Sequence, residues 1–305
     1  MRVTMQNLYT NNLNSLQNTT YDVARLNQML SKGVSILSPS DDPIGVVRVM
    51  DNQRDLALVQ QYVKNIDSLS TNMSRAETYL SSMVETQQRM KEISIATNSS
   101  NLSKEDRASY ASEMEELLKG LVDNINATDE SGNYLFSGNA IEKAAVVKDA
   151  VGRYVYQGDA SERTVQTSSS SWTTANVTAE KVLFSNAGQD ILNQAMDYIN
   201  VLNDPSLSPS DPAFSAAASG IQTALSETLD SIGAAITDFG GKQNNLALVK
   251  SSHEEMVLFS KQVIGETQEL DYAAATAEFN VKLTALKITQ QTFVQISQLS
   301  LFNHM

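Results

Sequence analysis

The sequence predicts a mainly α protein: an elongated helical bundle or coiled coil formed by both chain ends, with a small, mainly β domain inserted between them. Between positions 221 and 302, apolar residues recur in alternating steps of four and three, and no proline interrupts them. This heptad pattern is typical of a long helix that packs along other long helices. No proline occurs between Pro43 and Pro205 either, which favours helix over much of the chain.

Composition narrows the classes to which the protein can belong. The 305 residues include no cysteine and carry a formal net charge of −13. The missing cysteines exclude disulfides and thiolate metal sites. An acidic chain without a basic tract is not expected to bind nucleic acid or an anionic membrane surface. No apolar run approaches the ~18 residues of a membrane-spanning helix, so we expect no such helix. The first residues lack the apolar region of a cleaved signal peptide, so we do not expect one.

The N-terminal segment has the pattern of a weakly charged amphipathic helix. Apolar side chains recur every seven residues from Tyr9 to Leu30, and Arg2 is the only charged residue before Asp22. Such a helix is marginal on its own, because helix stability in proteins comes mainly from packing. The C-terminal residues 288–303 are also uncharged. We therefore expect both terminal segments to lack a partner in the isolated chain, to be disordered there, and to fold on assembly.

The segment SPSDDP, residues 38–43, interrupts the helical pattern. Residues before a proline avoid the helical conformation, and Pro43 suits the first turn of a new helix with Asp42 as its N-cap. We interpret the adjacent carboxylates of Asp41 and Asp42 as turn and capping groups rather than as an acid–base pair.

Two more helices are predicted before the β-type region. One apolar stripe runs from Val59 to Met90, and a second runs from Ala111 to Ile125 after a capping-box pattern that begins at Ser103. The short polar connection between them predicts an antiparallel helical hairpin. The methionines occupy heptad positions, so we interpret them as core residues rather than as a soft-metal site.

Short runs of aromatic and β-branched residues follow from residue 133. They predict strands at residues 134–136, 154–157, 163–167 and 181–184, separated by glycines. The uncharged, Ser/Thr-rich stretch 164–179 fits either a loop or a solvent-facing strand. We expect Trp172 within it to pack in the core or at a sheet edge rather than to serve as a ligand platform. A helix over residues 190–202 and a proline-containing linker then lead into the last long helix.

No group of residues predicts catalysis, a metal site or a cofactor. The two histidines are His253, on the long heptad stripe, and His304, near the end of the sequence. They cannot form a metal-binding triad or a Ser-His-Asp set. No glycine-rich phosphate loop is present. We therefore expect a protein that is not an enzyme and that holds no cofactor.

Six segments resemble the flagellin superfamily, in particular its branch at the bacterial hook–filament junction. The resemblance spans nearly the whole chain, and the order and spacing of the segments make it specific. The segments are MRVTMQNLY (residues 1–9), SPSDDPIG (38–45), GNYLFSG (132–138), YVYQGDASERTVQ (154–166), GGKQNNL (240–246) and AEFNVKLTALKITQQTFVQISQLSLF (277–302).

The resemblance implies a structural part of the bacterial flagellum, outside the cell at the hook–filament junction. It implies export through the flagellar type III channel with help from a cytosolic chaperone that binds the C-terminal region. It also implies self-assembly into a ring between another hook-associated protein and the first flagellin subunits. No nucleic acid or membrane partner is implied.

This interpretation predicts three domains and an assembly surface. The domains are a terminal helical inner domain (1–40 and 266–305), a helical bundle (41–132 and 216–265) and a β-rich outer insert (133–215). The predicted helix cap is the family motif Ser40, Asp41, Asp42 and Pro43. The predicted assembly residues are apolar side chains near the two ends of the sequence: Leu8, Leu13, Leu16, Val23, Leu26, Leu283, Leu286, Ile288, Phe293, Ile296, Leu299, Leu301 and Phe302.

Two other functions fit the sequence. A flagellin filament subunit would have the same terminal pattern, and only the first residues, the SDDP motif and the LSLF ending favour the junction. A secreted helical effector or adhesin that does not assemble is a second alternative. An enzyme is the weakest of the interpretations.

Overall fold

The computed structural model describes residues 2–98, 102–184 and 190–302, and the side chains of residues 7–295 within that span. It is mainly α-helical with a small β insert, which confirms the predicted fold class. The helices are α1 (Arg2–Lys32), α2 (Pro43–Ala96), α3 (Lys104–Ile125), α4 (Ile191–Asn203), α5 (Pro212–Gln268) and α6 (Tyr272–Phe302); the strands are β1 (Val146–Lys148), β2 (Tyr154–Tyr156), β3 (Thr164–Gln166) and β4 (Trp172–Thr174). The chain forms two compact units, residues 1–59 with 255–305, and residues 60–254.

The apolar stripes of α2 and α3 form the core of the second unit. The stripe of α2 is buried at each heptad position from Ile66 to Met90, including the polar Gln87. In α3, the predicted stripe from Ala111 to Ile125 is buried as well. The predicted core role of the methionines is confirmed, since Met73, Met83, Met90 and Met114 are fully buried.

Polar contacts fix the register of α2 against both of its long neighbours. Ser82 and Arg89 of α2 bond to Asn124 and Glu113 of α3 at 3.0 and 2.7 Å, so the two helices run antiparallel as predicted. Helix α5 is also antiparallel to α2. Its Ser226 lies 3.1 Å from Lys91, and its Lys250 lies 2.6 Å from Asp67. The predicted capping box at Ser103 is present, with Asp106 as its partner.

The β insert consists of two separate antiparallel hairpins, β1 with β2 and β3 with β4. The predicted strands at 154–157 and 163–167 are confirmed, and the Ser/Thr-rich stretch provides β4 and its turn. The strands predicted at 134–136 and 181–184 are wrong. The first is a turn segment with one isolated bridge, and the second is a short π-helical turn. Trp172 is 61% exposed on β4, so it is not a core residue, and it lies in an edge strand of a two-stranded sheet, which was the other predicted position.

Helix α4 belongs to the same hydrophobic core as α2, α3 and α5. It begins after the N-cap Asp190, whose carboxylate accepts the backbone N–H groups of Leu192 and Asn193. The helix predicted over residues 190–202 is confirmed. Its Tyr198 is fully buried and lies 2.6 Å from the Thr97 hydroxyl at the end of α2. The domain limits at 132 and 216 stay a prediction, and α4 connects the segment between them to the helical core.

In the first unit, the last long helix is interrupted. Residues 269–271 separate α5 from α6, so the single helix predicted over 221–302 is wrong. The interruption has a tertiary cause: the backbone N–H groups of Ser35 and Leu270 donate to the carbonyls of Gln268 and Gly33, which pairs this segment with the one after α1. Asp271 then caps α6 by accepting the N–H groups of residues 273 and 274. Gly33 has a φ of +71°, which glycine adopts without strain.

One buried polar pair in the second unit gives a stability prediction. The Thr228 hydroxyl of α5 donates to Gln87 Oε1 of α2 at 2.8 Å, and Gln87 Nε2 is buried without a hydrogen-bond partner among the described residues. An unsatisfied buried polar group costs about 1–3 kcal/mol. We expect Thr228→Val to lower the free energy of unfolding by about that amount, because the amide of Gln87 then loses its one bond.

Gln87→Leu is the matched control, since it removes the uncompensated amide from an apolar seam. We expect it to be neutral or stabilising, and the double variant Gln87→Leu/Thr228→Val to recover most of the loss. Urea unfolding followed by far-UV circular dichroism measures all three. A double variant as unstable as Thr228→Val would contradict this explanation.

Candidate assembly surface

The two terminal helices pack against each other in antiparallel orientation. The rings of Tyr9 and Phe293 lie 5.3 Å apart, and Lys282 Nζ donates to the Asp22 carboxylate at 2.8 Å. The hydrogen bond and the charge of Asp22 raise the pKa of Lys282. Each terminal helix therefore has a partner in the chain, and the expectation that they lack one is wrong. The partner is one helix, however, and not a closed core.

Most of the predicted assembly residues lie in the seam between α1 and α6 or beside it. Leu26 is buried, and the other seam residues are half-buried. The half-buried ones are Leu13, Leu16, Val23, Leu283, Leu286 and Phe293. These side chains hold the helix pair together, and their remaining exposed surface is open to a neighbour. Ile296, Leu299, Leu301 and Phe302 lie on α6, but their side chains are outside the described residues.

A second set of apolar residues points away from the seam. Leu8 is 51% exposed on α1, and Ile288 is 58% exposed on α6. Three residues that were not predicted as assembly residues extend this set: Tyr21, Val281 and Val294 are also exposed. Val281 and Ile288 are seven residues apart and so lie on one face of α6.

The helical phase of α6 explains why its apolar residues occupy two faces. The heptad stripe drawn from α5 continues through Ala274, Val281 and Ile288, and all three are exposed in α6. The face of α6 that contacts α1 instead carries Ala275 and Phe279, which are buried or half-buried. The helix restarts in a new phase after residues 269–271. The expectation of one continuous buried stripe is therefore wrong beyond Leu270, and it also fails at Met256 of α5, which is 54% exposed.

The predicted cap motif forms a tight turn before α2. Asp41 accepts the backbone N–H groups of Leu37 and Ser38 at 3.0 Å each, and Arg25 of α1 lies 3.0 Å from its other oxygen. Asp42 accepts the N–H of Gly45 at 2.9 Å, as an N-cap does. Ser40 and Pro43 are exposed beside them. The motif is thus a structural joint that ties α1 to the start of α2.

The exposed apolar residues of α1 and α6 offer a surface for contact with another protein. Among the described residues, no group of three His, Cys, Asp or Glu side chains is placed to hold a metal ion. No helix in the described part of the chain is long and apolar enough to cross a membrane. Helices α1 and α6 therefore carry two sets of apolar residues. The half-buried ones lie in the seam between the helices, and the exposed ones, which include the unpredicted Tyr21, Val281 and Val294, lie on the outside. The seven-residue spacing of Val281 and Ile288 was the available signal for that outer face.

Comparison with known proteins gives a consistent result. Residues 3–140 match the family model for the bacterial flagellin N-terminal helical region. Flagellar hook-associated protein 3 of Escherichia coli is 25% identical over 99% of both chains. A solved structure described as a flagellar hook-associated protein from Vibrio parahaemolyticus is 31% identical. It covers 75% of this chain and 100% of its own, with a TM-score of 0.70.

A second solved structure supports the fold alone. It is flagellar hook-associated protein 3 from Legionella pneumophila, with 17% identity and a TM-score of 0.65. The matched region covers 72% of this chain and 98% of that one. In both solved structures, about a quarter of the present chain has no counterpart.

The cap motif gives a prediction about protonation. Hydrogen bonds from the backbone N–H of Ser38 and then of Leu37 are the main causes that lower the pKa of Asp41, and the charge of Arg25 adds to them. Arg25→Gln should therefore leave the pKa of Asp41 below its usual range. Since the ionised form is the bonded one, the turn is stabilised above that pKa and weakens as the pH falls through it.

Carbonyl-detected NMR titration of the aspartates measures this pKa, and Asp41→Asn identifies the signal. A return of the Asp41 pKa to its ordinary value in Arg25→Gln would show that the ion pair, rather than the backbone, organises the turn.

Proposed function

This chain belongs to the flagellar hook-associated protein family, and we propose that it is the junction protein that joins the hook to the flagellin filament. In this role it contacts another hook-associated protein on one side and flagellin on the other. The relatives with similar full-length sequences are named flagellar hook-associated protein 3. Membership of this family indicates a structural component of the flagellum, and we place it at the junction because these relatives match it over 99% of their length.

The observation that carries the proposal is the exposed apolar face of the α1–α6 pair. Leu8, Val281 and Ile288 are more than half exposed in the isolated chain. Burying one large apolar side chain is worth about 1.5–3 kcal/mol. Large exposed apolar side chains that share a helix face, as Val281 and Ile288 do, mark a candidate site of protein contact. Assembly with neighbouring subunits would cover this face.

Ring formation and export complete the proposal. We infer that copies of the chain assemble side by side into a ring through their terminal helices. The chain would reach its site outside the cell through the flagellar export channel, with a cytosolic chaperone bound to its C-terminal region. Residues 288–303 carry no charge, so this region would benefit from a covering partner before assembly.

The protein has a structural rather than a catalytic role in this proposal, as its relatives are structural flagellar proteins. A filament subunit is the second candidate, because the matched family model describes a helical region of flagellin. Immunogold labelling separates the two. Label confined to the base of the filament supports the junction, and label along the filament supports a flagellin. In a deletion strain, a junction protein predicts intact hooks and filaments shed into the medium.

A charge on the outer face of α6 should prevent assembly without unfolding the core. We expect Ile288→Asp to abolish swimming and to remove the label from the hook tip. A buried, unpaired charge costs far more than a lost apolar contact. The thermal melt of the purified chain should keep the transition of the second unit, because residue 288 lies outside it.

Ile288→Leu and Thr237→Asp are the matched controls for this variant. The first keeps the apolar surface at the same position, and the second places a charge on an exposed residue of α5. Both should swim. Normal swimming by Ile288→Asp would show that this face is not buried in the junction.

A further inference from the structure

Two exposed patches on different helices of the first unit have complementary chemistry. The α2 patch consists of Ile44, Val47 and Arg48, and Ile44 is 83% exposed. These residues and Asp51 line a shallow concavity at the start of α2. The guanidinium of Arg48 has no acceptor among the described residues. An apolar pair beside an unpaired cation is therefore presented to solvent.

The α5 patch has the opposite charge. It consists of Glu255, Met256 and Phe259, and Phe259 is 64% exposed. Met256 and Phe259 lie one turn apart on the same side of the helix. The carboxylate of Glu255 has no cationic partner within the described part of the chain. This patch therefore presents an apolar ridge beside an unpaired anion.

The two patches of one chain are too far apart to cover each other. Val49 and Gln53 of α2 line a pocket together with Gln268, so that end of α5 lies level with them. Phe259 lies nine residues before Gln268 on α5. Ile44 lies five residues before Val49 on α2, and because the helices are antiparallel it is displaced from this pocket in the opposite direction. At about 1.5 Å rise per residue, the separation along the helices is on the order of 20 Å. Since the described residues of the chain leave both patches exposed, another molecule is the natural cover for each of them.

We propose that the α2 patch of one copy binds the α5 patch of the next copy, with Arg48 facing Glu255. This inference rests on the proposed ring assembly and names one of its contacts. A contact between two different surfaces of the same chain is head-to-tail, and its repetition generates a ring or a helix. Copies of a chain with a net charge of −13 repel each other, and an Arg–Glu pair at the contact offsets part of that repulsion.

Cysteine cross-linking tests the contact directly, because the chain has no cysteine of its own. A disulfide requires Cα atoms within about 7 Å. The double variant Val47→Cys/Phe259→Cys, expressed at full length in a deletion strain and oxidised in assembled flagella, should give a ladder of dimers, trimers and larger species. Each single variant should stay monomeric. Val47→Cys/Val151→Cys is the control for random collision.

Charge reversal tests the facing pair in the same cross-linking background. Arg48→Glu should lower the cross-linked fraction severalfold, and so should Glu255→Arg. The two reversals combined should restore it. Ile44→Cys/Met256→Cys provides a second cross-linking pair if the first does not keep its helical melt.

The possible outcomes separate this inference from the proposed function. A swimming strain with label at the junction and no ladder from either pair overturns the contact and leaves the function intact. Dimers from Val47→Cys alone overturn it as well, because they indicate that two α2 patches meet. Absence of the unmodified chain from the junction overturns the proposed function itself.

Discussion

The antiparallel seam between α2 and α5 is the constraint on which the rest of the structure depends. In the second unit, the Gln87–Thr228, Lys91–Ser226 and Asp67–Lys250 contacts all join these two helices in one register. A shift of one helix along the other would break each of these contacts and misalign the apolar stripes. A buried polar residue at a heptad position is a known device for fixing register. Gln87 serves that purpose here, although its amide NH2 group is buried without a hydrogen-bond partner among the described residues.

The fixed register determines which parts of the chain are well packed. Helices α3 and α4 complete a closed core around the seam, with Tyr198, Phe136 and Phe214 among the largest buried side chains. The terminal helices have fewer buried side chains, because α1 packs mainly along α6. Their apolar residues are divided between a narrow seam and an exposed outer face. This division suits a protein whose last stage of folding is assembly.

Helical periodicity made the long helices predictable from the sequence. In α2 and α3, every predicted stripe position from Ile66 to Met90 and from Ala111 to Ile125 is buried, whereas the predicted Tyr62 is half-buried. The interruption at residues 269–271 was not predictable in the same way. It depends on backbone pairing with Gly33 and Ser35, more than 230 residues away in the sequence. The phase of α6, and with it the exposure of Val281, follows from that long-range contact.

The insert and the candidate surface were predictable only in part, for related reasons. Each strand is three residues long, which is too short for alternation to distinguish it from a turn. The apolar run at residues 181–184 fits a strand or a helix equally well, and packing into the shared core decides for a π-helical turn. In the terminal helices, apolar character identified residues such as Leu16 and Ile288. It could not tell the seam from the outer face.

Hydrogen–deuterium exchange tests the central claim most directly: a closed core in residues 60–254 and terminal helices that need an assembly. In the isolated chain, amides of α2 between Ile66 and Met90 should exchange orders of magnitude more slowly than those of α1 and α6. After incorporation at the hook, the terminal amides should become comparably protected. Terminal helices as well protected in the isolated chain as the α2 core would contradict the account, because the α1–α6 pair would then be stable without neighbours.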